Sequence, residues 1–318
     1  MLEARVIDIQ IQPLKGGGPL KFSAARMTRA GLEDVDGVIQ DHFLAPVTRE
    51  QDDHGFHNFL TQRVQVNPAK NLFVPGSPRL ALVRPNISDF GCYFTFDGQS
   101  EIEDRGLAED DLSRVIPVQI WEYRGGAIEV PDLSEWLSDN LKRNVLVART
   151  SGPWNRMAKQ NFMRNNNPLR AQDGYPVHTV SSNDTKAVFG AIKAEDDPNR
   201  FRYQVLLEFP GGTPFRAIHD YAEGEINGVR VFQPKACDRC EVTGIDQQTG
   251  EFSGIKPLAG IVQAGGTRWI RPDNGNKVHI MGENWLPQGK TIIRVGDTFT
   301  FTKLRETPLQ FEEPKKVL

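Results

Sequence analysis

The sequence predicts a mainly β (α+β) protein with a barrel-like architecture and few helices. Three observations carry this. Short segments of alternating apolar and polar residues recur along the whole chain, separated by turn residues. Only two or three stretches show helical apolar spacing or a helix cap. There is no internal repeat and no low-complexity segment.

Composition sets the bounds. The 318 residues allow one large domain or two ordinary ones. Charged residues are 25% of the chain and the net charge is −3, which is no electrostatic footprint for nucleic acid or an anionic membrane. No apolar run approaches the ~20 residues that span a bilayer. The start, Met1-Leu-Glu-Ala-Arg5, lacks a signal peptide's basic and apolar regions. A cytoplasmic location is expected. Three cysteines make no disulfide framework, and they exclude within this chain an iron–sulfur cluster held by four thiolates.

The elements follow in order. Arg5 to Gln12 alternates, with Ile7, Ile9 and Ile11 on one face, and predicts a half-buried strand. Pro13 to Pro19 is a loop in which Lys15 precedes Gly16, Gly17 and Gly18, the reverse of a Walker loop. It is either a flexible turn or a backbone that lets a ligand approach closely. His54 and His57 stand beside Asp52 and Asp53 without a third ligand pattern, which reads as a solvated loop. Phe59 to Arg63 and Leu80 to Val83 read as short strands, and Cys92 among aromatics as a core residue. Ile116 to Tyr123 is another alternating strand.

Asp132 can cap a helix, with Glu135 three residues on and Leu133, Trp136, Leu137 and Leu141 on one face. Asn144 to Ala148 then reads as a strand. A boundary here divides the chain into residues 1–147 and 148–318. In the second part, Asp173 to Ser181 holds a strand that ends on Ser181-Ser-Asn-Asp184, caps for a helix to about Ile192. Arg200 to Phe209 reads as a strand. Gly224 to Phe232 reads as a hairpin turning on Asn227-Gly228. Ile292 to Phe301 is two strands about Gly296-Asp297.

The chemistry concentrates in Lys235-Ala-Cys-Asp-Arg-Cys240. Gly228 to Phe232 leads in, and Glu241 to Ile245 leads out as a strand to a turn of Asp246, Thr249 and Gly250. A zinc site needs more Cys or His partners at compatible spacing than the chain offers. A thioredoxin-type pair opens a helix, whereas these flanks read as strands. Two readings stand: a pair of buried thiols, or one thiolate on a soft metal centre, with Arg239 favouring the thiolate.

Six pieces, in order, resemble a known family. Ile9-Gln-Ile-Gln-Pro-Leu-Lys15 resembles its "YPIKS" loop. Phe59 to Arg63 with Leu80 to Val83 resembles its "TxR…LALI" segment. Asp173 to Ser181 resembles "DxSPFLILS", and Arg200-Phe-Arg202 the start of "RFRPN". Ala236 to Gly250 resembles "ACSRCxxTTVDPxTG". Met281-Gly-Glu-Asn-Trp285 with Ile293 to Asp297 resembles "FGxN…IxVGD". By these pieces, residues 148–318 resemble a MOSC domain, a β-barrel. Residues 1–147 resemble the β-rich domain that precedes it in the amidoxime-reducing component family.

The resemblance implies the molybdenum cofactor (Mo-molybdopterin), with Cys240 as the protein ligand to molybdenum and Cys237 a small packing residue. It implies cofactor contacts from Lys15, with Gly16 to Gly18, from Arg63, from Gly174 and Tyr175, and from Arg202 and Gln204. Asp173 would stand near the metal and deliver protons. The implied activity is reduction of small N-hydroxylated or N-oxide-type substrates, with no nucleic acid or membrane span involved. With three cysteines, electrons would come from a separate donor protein of ferredoxin or flavin reductase type. The alternative is a carrier of persulfide sulfur or of the cofactor on Cys240. Pyridoxal phosphate, a wider association of MOSC proteins, is not expected. The chain departs from the family pattern at Gly16, His42, Tyr175, Tyr203 and Gln204. At His42 the pattern has an arginine.

Overall fold

The computed structural model describes residues 2–312 except 63–64, 68–71, 75, 89–90, 105–110, 161 and 164, and gives only the backbone of 65–67, 72–74 and 103–104. The described residues are mainly β, with three α-helices and short 3-10 turns between many strands. No helix among them is long and apolar enough to cross a membrane.

The largest assembly is a ten-stranded sheet. Its central path runs Val177–Ser181, Val205–Glu208, Leu2–Ile11, Thr298–Leu304, Tyr221–Ile226, Val229–Phe232, Lys277–Pro287 and Ala236–Arg239. Val177–Ser181 also pairs with Lys277–Pro287, so the hydrogen-bonded path returns on itself. The first strand of the chain therefore sits inside a sheet built mostly from its second half. The second assembly is a closed barrel of Val115–Ile120, Tyr123–Glu129, Val145–Arg149, Leu44–Gln51 and His57–Phe59.

Side-chain alternation explains the barrel. Leu146 and Ala148 point inward, with Val47, Phe59, Val118 and Ile120. Val145 and Val147 point outward, against Leu133, Leu137 and Leu141 of helix α1 (Pro131–Leu141). Every residue of Val145–Arg149 is buried for that reason. The larger sheet is held by Trp285 stacked on Phe299, ring centroids 4.4 Å apart, with Phe301 against Phe299.

Local signals form much of this. Asn227 and Gly228 both take positive φ, which the two-residue turn of the hairpin requires. The Ser181 side chain accepts from the Asp184 N–H at 3.2 Å and starts helix α2 (Ser182–Ala191), whose crossover joins two parallel strands. Helix α3 (Pro257–Gln263) lies so close to α2 that a Cβ on Gly260 would stand 2.6 Å from the Val188 carbonyl oxygen.

Several expectations change. In α1 the cap position falls on Val130 rather than Asp132, because Pro131 opens the helix. Asp132 stays in the first turn, where its charge suits the helix dipole. Leu80 to Val83 is not a strand. Pro78–Leu82 is a 3-10 turn that buries Leu80, Ala81 and Leu82, and the strand Val83–Ser88 follows it. Of Phe59 to Gln62, Phe59 ends the strand His57–Phe59 and Thr61 makes a single bridge with Gly76, while Arg63 lies outside the described residues.

Arg200 and Phe201 lie in the 3-10 turn Pro198–Phe201. Buried Arg200 pairs there with Asp197 and Asp246, and the strand begins at Val205. Glu241–Gly244 is a 3-10 turn, because the Thr243 N–H and hydroxyl bind back to the Cys240 carbonyl oxygen at 3.2 and 3.1 Å. The first strand is covered on both faces. Gln10 is fully buried, and its amide donates to the Tyr203 hydroxyl at 2.8 Å and to Asn199 at 2.9 Å.

Candidate functional site

The site grows from Lys15. The loop after the first strand turns Lys15 into the interior, where it is 4% exposed. Its ammonium lies 2.5 Å from Asp173 Oδ1 and donates to the Ala171 carbonyl oxygen at 2.9 Å. Asp173 Oδ1 also accepts from Trp121 Nε1 at 3.1 Å. The pair is lopsided: the Lys15 side chain is 5% accessible and that of Asp173 is 72%. Asp173 forms the mouth of the site and Lys15 its floor.

The glycines beside Lys15 do less for a ligand than their flexibility suggests. The Gly17 N–H donates to the Leu14 carbonyl and the Gly18 N–H to the Val83 carbonyl, at 3.0 and 2.8 Å. Two of the three amides are thereby used to fold the loop. A Cβ on Gly18 would stand 2.6 Å from Arg84 Nη1, so the missing side chain serves close packing.

Further cations surround Lys15. Arg156 wraps the loop from Arg170 to Asp173 and donates to the carbonyls of Arg170, Gln172 and Asp173. Arg202 takes left-handed backbone. Its guanidinium reaches the Gly17 carbonyl at 3.1 Å, Gln247 at 3.0 Å and Gln12 at 2.7 Å. Lys159 stands over the Trp121 ring at 5.9 Å.

These charges act on each other. Burial pushes Arg156 and Arg202 down to about 10, against the pull of Asp173. Burial likewise lowers Lys15, with Asp173 opposing it and the charges of Arg156 and Arg202 adding to it. Crowding alone would raise the Asp173 carboxyl. The Lys15 ammonium and the Trp121 N–H outweigh it and hold the group well below the usual carboxylate range.

Asp41 and His42 complete the cluster. Asp41 is fully buried. It accepts from the Gln12 N–H at 2.9 Å and from Gln204 Nε2 at 3.1 Å, and it lies 2.7 Å from His42 Nδ1. Gln204 Oε1 accepts from the His178 N–H at 2.6 Å. Gln204 thus holds Asp41 rather than lining the mouth.

Cys237 and Cys240 differ in setting. Cys237 is half-buried and receives Arg239 Nη1 at 3.1 Å. The same nitrogen lies 3.0 Å from His178 Nε2, while Nη2 donates to the Phe201 carbonyl at 2.7 Å. Burial raises the Cys237 thiol and Arg239 partly offsets it. Burial first, then the Arg239 charge, holds His178 well below its ordinary value. Cys240 is exposed at the head of the Glu241–Gly244 turn. Its segment is tethered on both sides: Arg239 binds before it, and after it Gln247 exchanges hydrogen bonds with Gln62 and receives Arg202.

Three buried polar groups along this face have atoms without a partner among the described residues: the Tyr175 hydroxyl, Asp238 Oδ1 and Arg239 Nε. Burial and the Asp238 charge raise the Tyr175 hydroxyl. Gly174 leaves room for Lys159, whose Cδ would be 3.1 Å from a Cβ there. Among the described residues, no group of three or more His, Cys, Asp and Glu is arranged to hold a metal ion.

Lys15, Asp173, Gly174, Arg202 and Gln204 are brought together, and Cys240 is carried on the tethered segment beside them. Arg63 lies outside the described residues. Sequence reasoning missed Trp121, Arg156, Lys159, Gln12 and Gln247. It registered His42 only as a departure. The available signal was polar residues inside apolar strands, such as Gln12, which an exposed face also explains.

No known family matches the chain, and no curated protein does. Among solved structures, the YUAD protein from Bacillus subtilis matches 95% of this chain and 98% of its own, at 9% identity and a TM-score of 0.38. At that level the likeness carries no argument.

The thiols yield a direct prediction. Iodoacetamide labels Cys240 first, because it is exposed. Cys237 follows slowly at neutral pH and faster as pH rises, since its thiol stays protonated to higher pH than a free one. Buried Cys92 labels only on unfolding. Peptide mapping by mass spectrometry checks the order, and Cys237 labelling ahead of Cys240 contradicts it.

Proposed function

We propose that the protein is an oxidoreductase of the molybdenum-cofactor class that reduces small N-hydroxylated or N-oxide-type substrates. One observation carries the reading: an exposed thiol, Cys240, rides on a segment anchored to a buried band of cations. Buried cations outnumber the carboxylates beside them, and such a band favours a bound anion. The residues fit a group that brings phosphate and its own metal ligands. Cys240 would supply the single protein thiolate. Lys15 and Arg202 would face the anionic part, and the unpartnered Tyr175 hydroxyl and Arg239 Nε would offer hydrogen bonds.

The cofactor, when bound, supplies the two-electron chemistry of oxygen-atom removal. The chain's own residues hold and orient. Arg156 and Lys15 fix the loop that carries Asp173 to the mouth. Gln204 and Asp41 brace that loop from below. Electrons enter from a separate donor protein, a ferredoxin or a flavin reductase.

Elemental analysis tests the reading. Protein from a host that makes the cofactor is expected to carry molybdenum, as is Cys237→Ala, while Cys240→Ala carries less than about a tenth as much. Equal molybdenum in Cys240→Ala and wild type sinks the assignment. A carrier role has one observation in its favour: Cys240 is open to solvent, as transfer between proteins needs. Cys240 isolated as a persulfide, without molybdenum, would decide for it.

A further inference from the structure

We propose that His42, oriented by Asp41, is the proton donor of this site; the assignment rests on the reductive reading above. His42 joins the two loops that build the site. Its N–H donates to the Gln12 carbonyl at 2.7 Å, and its carbonyl accepts from the Ala171 N–H at 3.0 Å. Gln12 leads to Lys15, and Ala171 leads to Asp173. The ring is 2.7 Å from Asp41 through Nδ1, and its Nε2 has no partner among the described residues.

Asp41 is built for this task. It is fully buried and held by the Gln12 N–H and Gln204. A carboxylate fixed in that way holds the neutral imidazole with its proton on Nδ1, which leaves Nε2 to take up and release a proton. His42 also has left-handed backbone, at φ 51. Non-glycine residues rarely adopt it, and such conformations gather at functional sites.

Asp173, the group at the mouth, is poorly suited to give a proton. Its 2.5 Å contact with Lys15 keeps it ionised. Arg170 and Arg202 act on Asp41, the partner of the His42 ring, and Lys15, Arg156 and Arg202 act on Asp173.

The step balances. In an N-hydroxylated substrate the N–O bond breaks, and two electrons from the reduced donor protein go to nitrogen. Nε2–H of the imidazolium gives its proton to the departing oxygen, which leaves as water. Solvent supplies the second proton, on nitrogen, and reprotonates His42.

The test pairs kinetics with a measurement that needs no turnover. His42→Asn is the variant of choice, because asparagine tolerates left-handed backbone. With dithionite-reduced viologen and hydroxylamine, wild-type kcat is expected to fall as pH rises. His42→Asn is expected to keep wild-type molybdenum content and lose about 100-fold in kcat, and that pH dependence with it. Unchanged kcat and pH profile overturn the proposal, and so does loss of molybdenum, which would make His42 a cofactor-holding residue.

Nitrogen-15 NMR of the wild-type protein, loaded or not, is the second measurement. Neutral His42 is expected with its proton on Nδ1, and Asp41→Asn is expected to remove that preference. A proton fixed on Nε2, or the same tautomer preference in Asp41→Asn, overturns the proposal even if His42→Asn fails to fold. Wild-type protein that carries molybdenum but reduces nothing sinks the reductive reading instead, and leaves the NMR result to stand on its own.

Discussion

Replacing Glu283 with alanine is expected to lower the free energy of unfolding by about 3–5 kcal/mol, the usual cost of removing one partner from a buried ion pair. Glu283 lies on the strand Lys277–Pro287 and is fully buried. Its carboxylate sits 2.7 Å from His219 Nδ1 and accepts from Arg305 Nη2 at 3.1 Å. Glu283→Ala leaves the Arg305 cation in the interior. Two carbonyls, from His219 and Gln233, still accept from it, but no carboxylate balances it. The deletion also opens a cavity beneath the ring of strands. Glu283→Gln keeps the volume and an acceptor for His219, so it costs less than alanine. Urea unfolding followed by circular dichroism checks both. A loss for alanine below about 1 kcal/mol, against that 3–5 kcal/mol scale, shows that the pair contributes little.

Lys15→Met is expected to act on ligand binding and hardly on stability. A charge-assisted hydrogen bond contributes about 1.5–3 kcal/mol, so an anionic ligand held by Lys15 binds roughly ten- to hundred-fold more weakly without it. The folded protein loses an ion pair whose acidic partner is mostly accessible, and such pairs contribute little. It also loses the repulsion of Arg156 and Arg202 against a buried ammonium. The near-cancellation separates the two roles of the residue. Molybdenum retained through purification measures the first, and the thermal midpoint measures the second. A variant that unfolds easily but keeps full molybdenum would make Lys15 a structural cation only.

The elements set by neighbouring residues were legible without a structure. Asn227-Gly228 turns where it was expected to, because both residues accept positive φ. Ser181 caps α2 through a bond three residues long. The strand 145–149 was recognisable, although only packing explains why both of its faces are buried. Misreadings fell where a side-chain bond, distant or short-range, overrode the local pattern. Arg200 to Phe209 looks like one strand, yet Asp246 draws Arg200 into a turn. Glu241 to Ile245 alternates like a strand, yet Thr243 closes back on Cys240.

The same division runs through the candidate site. Lys15 and the Cys-Asp-Arg-Cys stretch stand out in the sequence, because an unusual local composition marks them. The sequence by itself determined the β-rich class, the hairpin turn at Asn227-Gly228 and the two helices, with the cap of the first misplaced on Asp132. Only the tertiary structure decided that Lys15 meets Asp173, that Arg239 serves Cys237, and that Asp41 aims His42. Those partners lie far apart along the chain, apart from Asp41–His42 and Arg239–Cys237. Even in these two pairs, buried backbone geometry sets the direction of the side chains. Charge pairing in a crowded interior depends on which segments the sheet and barrel bring together, and no local pattern of residues encodes that.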